Sequence, residues 1–124
     1  MTHFSRGDVL LIPFPYTDQT GSKRRPCVVL SSDDYNTRRA DIIVAPITSN
    51  LASGQFADTQ LSDLSSAGLP KPSVVKGNLG TLQKTLVIRR LGSLSNSDLS
   101  KVERTFADAL GLILVDPNSL PTSE

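Results

Sequence analysis

Gly7-Asp8-Val9-Leu10-Leu11-Ile12-Pro13 opens a stretch that continues through Lys23-Arg24-Arg25-Pro26-Cys27-Val28-Val29-Leu30 and closes on Ile42-Ile43-Val44-Ala45-Pro46-Ile47-Thr48-Ser49-Asn50. Its apolar runs are short, rich in β-branched residues and bounded by Gly, Pro, Asp and Asn, which reads as strands. A basic knot stands at the mouth of the second run and a hydroxyl pair at the end of the third, so the stretch looks like a site built on a sheet. Residues 9–12 are apolar throughout, which predicts a strand buried on both faces. Pro13 and Pro15 are expected to end it, because proline cannot donate to a ladder. Pro26 holds Arg25 extended, since the α region is disfavoured before proline. Residues 27–30 and 41–47 form the second and third strands. Pro46 predicts an edge position or a bulge, tilting Thr48 and Ser49 out of the ladder.

Outward from this stretch, Phe14 and Tyr16 supply aromatic surface near the first strand end, and Asp18, Thr20, Gly21 and Ser22 favour a loop over residues 17–22. Residues 31–40 read as a polar connection, 56–61 as a strand, and 62–72 as an excursion over the surface. Short strands are expected at 73–76, 79–82 and 86–88, with bends at Gly77, Asn78 and Gly80 and a close at Gly92. Residues 95–98 offer N-cap candidates. After them Leu99, Val102, Phe106, Leu110 and Ile113 recur at helical spacing, and Gly111 marks the helix end. Residues 112–115 read as a last strand or packed tail, and 116–124 as frayed. The pattern predicts a mainly β fold, a small curled sheet or barrel with a C-terminal helix, as a single domain over 1–124.

At 124 residues such a domain needs no disulfide to fold, and thirteen Lys plus Arg against twelve Asp plus Glu leave no bulk charge to attract nucleic acid. An anion site must come from clustering at Lys23-Arg24-Arg25, Arg38-Arg39, Arg89-Arg90 or Lys71 with Lys76. The single cysteine, Cys27, lies in an apolar run and reads as buried, and a chain without paired cysteines or a secretory leader reads as cytoplasmic. No apolar stretch approaches membrane-span length. The single histidine, His3, excludes a two-histidine ribonuclease, and a Cys/His zinc site is excluded by count. Asp33-Asp34 is weak evidence for a hard cation, and there is no phosphate-binding Gly-rich motif. Chemistry is left to arginine, hydroxyls, a carboxylate or backbone donors.

Taken in order, Gly7-Asp8-Val9, Pro13-Phe14-Pro15-Tyr16-Thr17-Asp18, Gly21-Ser22-Lys23-Arg24-Arg25-Pro26 with Val28-Val29-Leu30, Pro46-Ile47-Thr48-Ser49 and Gly68-Leu69-Pro70-Lys71-Pro72-Ser73-Val74-Val75 resemble the MazF/PemK family of toxins from type II toxin–antitoxin systems. The resemblance implies an SH3-like β-barrel of the CcdB/MazF type, usually a homodimer. It implies a sequence-selective endoribonuclease that cleaves single-stranded RNA without metal or cofactor. The substrate's 2′-hydroxyl is then the nucleophile, leaving 2′,3′-cyclic phosphate and 5′-hydroxyl ends. A cognate antitoxin would inhibit the enzyme, and DNA would be met only through the antitoxin complex.

Arg25 and Thr48 fall on the family's catalytic positions, with Ser49 beside them. Lys23 and Arg24 are expected to contact phosphates, and Phe14, Tyr16, Ser53 and Gln55 to read bases. Asp18 is a candidate base. Where many relatives carry Gln-Ile-Arg-Thr this chain has Asn78-Leu79-Gly80-Thr81, so Asn78 stands in for the glutamine and the second arginine is missing. Two alternatives are a protein-binding barrel of the gyrase-poisoning CcdB type and a silent RNA-binding module.

Overall fold

The computed structural model describes residues 3–13 and 24–113. Its first strand, β1 (Asp8–Pro13), pairs antiparallel with β2 (Arg24–Val29) on one side and β7 (Arg89–Ser93) on the other. After a short helix α1 (Asp33–Arg38), β3 (Asp41–Thr48) pairs with β2, and its far edge is shared by two partners. These are β6 (Gly80–Gln83) along Asp41 to Val44 and β5 (Val74–Val75) at Ile47 and Thr48, while β4 (Thr59–Gln60) adds to β5. The seven-stranded path runs β4-β5-β3-β2-β1-β7 with β6 beside β3, and among the described residues no pairing joins β4 to β7. The fold is therefore mixed α/β around an antiparallel sheet, and the closed ladder of a barrel is not among the observed pairs.

Alternation along the strands sorts the apolar residues into two layers. Val9, Val28, Ala45, Ile47 and Val75 face one way and pack with Val102 and Phe106 of the C-terminal helix α3 (Asn96–Leu110). Leu10, Ile12, Cys27, Val29, Ile42 and Val44 face the other way and pack with Phe4, Leu82 and Val87. Among the described residues, no long helix lies over the second layer. That bare side is where the candidate site lies.

Helix α3 follows its sequence signals closely: Ser95 caps it by accepting from the Asp98 N–H, and Gly111 ends it at φ 72°. Only part of its apolar stripe is covered, since Leu110 and Ile113 are 56% and 88% exposed and no packed tail forms at Leu112. Between β4 and β5, α2 (Leu64–Ala67) replaces part of the expected surface excursion, capped by Asp63 and Gly68 and burying Ala67 and Leu69. The strand expected at 56–61 shortens to β4, and the strand expected at 86–88 becomes a 3₁₀ turn, Lys84–Leu86, followed by β7 with Gly92 inside it.

Proline placement differs from expectation for a physical reason. Pro26 lies inside β2 opposite Leu11, but the β2–β3 ladder has ended at Cys27, so no bond on that side is lost. Pro46 is not at a sheet edge. It falls where β3 changes partner from β6, ending at Val44, to β5, beginning at Ile47, and its carbonyl accepts from the Lys76 N–H at 2.8 Å. Thr48 consequently stays in the ladder opposite Val74.

Candidate active site

Arg25 and Thr48 reach one place through register. Cys27 lies across from Pro46 at the end of the β2–β3 ladder, and Arg25 and Thr48 each stand two residues beyond, on the side that carries Cys27. Both line a cavity of about 720 Å³ together with Pro46, Lys76, Asn78 and the β6 residues Gly80 to Gln83. Ile12, Val44, Leu79, Leu82 and Leu86 make its remaining wall apolar. A charged group on such a wall is poorly solvated, so an incoming anion gains more there than it would in water.

The Arg25 Nε–H is buried with no hydrogen-bond partner among the described residues. Buried donors are nearly always satisfied, and an exception on a cavity wall is where an acceptor belongs. Thr48 is half-buried, and its Oγ1 accepts the Asn50 N–H at 3.1 Å. One lone pair is thus occupied while the hydroxyl proton remains available for donation. Cys27 lines the same cavity as a fully buried thiol. Burial pushes it up to about 12 against a smaller opposing effect of a backbone hydrogen bond from Leu10, so it stays neutral and is not a nucleophile.

Arg25, Thr48 and Asn78 are brought together, and the other expected residues that the structure describes, Arg24 and Ser49, are not. Arg24 is exposed and, being adjacent to Arg25 in an extended strand, points to the opposite face. Ser49 is exposed beside Thr48 without lining the cavity. Phe14, Tyr16, Asp18 and Lys23 lie outside the described residues. Among the described residues the lining holds no carboxylate or imidazole. The other basic clusters serve the fold: Arg38 pairs with Asp34, Arg39 with Asp41, and Arg90 with the buried Asp8. Asp33 accepts the Arg6 N–H at 2.8 Å. Lys76 is the cavity cation that the residue pattern flagged only as part of a loose cluster. Its position directly after the apolar pair Val74-Val75, like Arg25 directly before an apolar run, was the available signal.

Residues 5–110 match the family model described as PemK-like, MazF-like toxin of type II toxin-antitoxin system. Endoribonuclease MazF6 of Mycobacterium tuberculosis and Endoribonuclease MazF2 of Mycobacterium bovis are each 35% identical over 100 residues, covering 79% of this chain and 88% of theirs. In fold, the chain is similar to a mycobacterial endoribonuclease solved in complex with its cognate antitoxin, at TM-score 0.73 and 23% identity over 93% of this chain and 100% of that one. It is also similar to a MazE-MazF structure from Deinococcus radiodurans, at TM-score 0.71 and 22% identity over 91% and 100% of the two chains.

Proposed function

Since the chain belongs to the PemK-like, MazF-like toxins of type II toxin–antitoxin systems, we propose that it is an endoribonuclease that cleaves single-stranded RNA at the Arg25–Thr48 cavity, selectively and without a metal ion. The observation that carries this reading is the buried Arg25 Nε–H, without a partner among the described residues, on a cavity wall shared with the Thr48 hydroxyl. RNA supplies its own nucleophile. Attack of the 2′-oxygen on the adjacent phosphorus forms the new P–O bond as its proton passes to water, the P–O bond to the 5′-oxygen breaks as that oxygen takes a proton from water, and the products are a 2′,3′-cyclic phosphate and a 5′-hydroxyl.

Charge builds on the non-bridging oxygens during that displacement, and a guanidinium fork binds them more tightly as it does. Arg25 is the clamp. Thr48, whose hydroxyl accepts from the Asn50 N–H, donates a hydrogen bond to a phosphate oxygen and fixes the scissile group in line. Asn78 supplies an amide at the rim for the substrate. An arginine, always protonated, does not serve as the base that takes the 2′-proton. A cognate antitoxin whose acidic segment covers the Arg25 groove would block the same charge, and a homodimer is the assembly we infer from the family.

The test is incubation of the purified protein with a mixed-sequence RNA in EDTA, followed by mapping of the ends. Cyclic-phosphate ends are expected, and Arg25→Ala should lower the rate by two to three decades, about 3–4 kcal/mol of barrier. RNA left intact at high enzyme excess would overturn the reading.

A further inference from the structure

Behind Lys76 stands a carboxylate that no sequence motif singles out. The Asp58 side chain is only 7% exposed, and its Oδ2 accepts from Lys76 Nζ at 2.7 Å and from the Gln55 N–H at 2.9 Å, while Oδ1 accepts the Gly77 N–H at 2.9 Å. The two segments it joins also touch directly. A Cβ on Gly77 would stand 2.9 Å from the Ala57 Cβ and 3.1 Å from its carbonyl oxygen, so the approach needs glycine. Ala57 itself is held at φ 76°, a left-handed conformation that side chains disfavour. Strain of this kind persists only where surrounding bonds over-determine it. Here they tie residues 55–58 to a turn whose Lys76 and Asn78 line the Arg25–Thr48 cavity.

We propose that Asp58 is a positioning residue: it clamps the 76–78 turn on the cavity wall and neutralises the Lys76 ammonium, leaving Arg25 as the charge that engages phosphate. The proposal rests on the RNA-cleavage reading above. Lys76 is 18% exposed and bonded to a buried carboxylate, so it has little counterion of its own to release when RNA binds.

Asp58→Asn is nearly isosteric, but it turns one acceptor oxygen into a donor facing either Gly77 or Lys76 and Gln55. Two measurements follow. In multiple-turnover cleavage, kcat should fall about tenfold with no rise in KM, because the ammonium that Asp58 no longer neutralises adds phosphate affinity while the turn loses its geometry. In anisotropy titrations with a 2′-O-methyl RNA oligonucleotide, which cannot be cleaved, the slope of log affinity against log salt should steepen by about 0.7. A substitution that merely unfolded part of the sample would lower kcat and leave that slope alone.

Lys76→Met serves as the second variant. Its slope should match wild type, and the double variant should return the Asp58→Asn slope to the wild-type value. A Lys76→Met slope shallower by about 0.7 would make Lys76 itself a phosphate contact and overturn the clamp, even if Asp58→Asn fails to fold. If Asp58→Asn keeps full kcat and slope, the clamp falls and the cleavage reading stands. If wild type binds with these slopes but cleaves nothing, the cleavage reading falls and the clamp stands as a binding device. If it neither binds nor cleaves, both fall.

Discussion

Thr48 and Cys27 share a cavity wall, and what each touches decides its chemistry. The Asn50 N–H on Thr48 Oγ1 leaves a donor proton, so the hydroxyl matters and the rest of the side chain does not. Thr48→Ser should keep cleavage within about fivefold, whereas Thr48→Val should lose about 10–100-fold, read in single-turnover assays on the same RNA. At Cys27 the proton cannot leave while the protein is folded. The ordinary thiol value is 9.0 and the folded one about 12. The unfolded chain therefore deprotonates first as pH rises. This contribution to stability is intact below about pH 9 and declines toward pH 12 by about 1.4 kcal/mol per pH unit. Cys27→Ala removes that decline and costs about 1 kcal/mol at neutral pH by leaving a small void. Urea unfolding at pH 8, 9 and 10 checks it; parallel curves for the two proteins would show that the buried thiol does not set the alkaline limb.

Helix α2 and strand β7 meet backbone to backbone, and glycine alone allows it. A Cβ on Gly68 would lie 2.1 Å from the Leu91 carbonyl oxygen, and one on Gly92 would lie 2.5 Å from that of Ser66. Gly80, in β6, has nothing within 4 Å of the same position. Gly92→Ala should cost about 2 kcal/mol or more, while Gly80→Ala should be neutral or gain about 0.5 kcal/mol from a less flexible unfolded chain. Thermal melts of the two variants separate them, and equal melting temperatures would refute the close packing. Elements were legible where one local rule governed them. The α3 boundaries could be read from Ser95, Gly111 and the three-to-four spacing between them. Helix α1 could not, because Asp33 to Arg38 carries no apolar periodicity. It is held by the Ser32 cap, acids in its first turn, Arg38 in its last and the buried Asn36, which bonds Ser31 and the Phe4 carbonyl. Pro46 was read as an edge or bulge signal, whereas it marks a partner switch within one strand that depends on two distant segments. Arg25 and Thr48 were flagged through their match to the family's motif positions, with Pro26 holding Arg25 extended, and both line one cavity. Asp58 was not, because its three donors arrive from Gln55, Lys76 and Gly77 only after the chain folds.

Across the whole molecule the sheet separates two tasks, with the helix-covered layer carrying stability and the bare layer carrying the cavity. Asp98 tests that separation because it lies on the stability side. Its carboxylate, fully buried in the first turn of α3, accepts the N–H groups of Ser62 and Asp63 at 2.9–3.1 Å and pairs with Lys101 Nζ at 3.1 Å. Burial pushes the carboxyl up, but the Asp63 and Ser62 N–H groups and Lys101 together outweigh it and hold it below the ordinary carboxylate range. A carboxyl depressed in the folded state contributes stability that is complete above its unfolded value near about 3.9 and is lost as pH falls through the folded one. Asp98→Asn should therefore cost about 3 kcal/mol at pH 7, by leaving a buried N–H donor unpaired and removing the charge partner of Lys101, and should flatten the acid limb below about pH 4. It should leave kcat per folded molecule unchanged, because the brace ties α3 to residues 62 and 63 and touches nothing that lines the Arg25 cavity. Urea unfolding from pH 3 to 7, with cleavage assayed at pH 7 on the fraction that remains folded, decides the matter. A fall in kcat matching that of Asp58→Asn would mean that the two layers are mechanically coupled, and that the sheet transmits strain from its helix side to its cavity side.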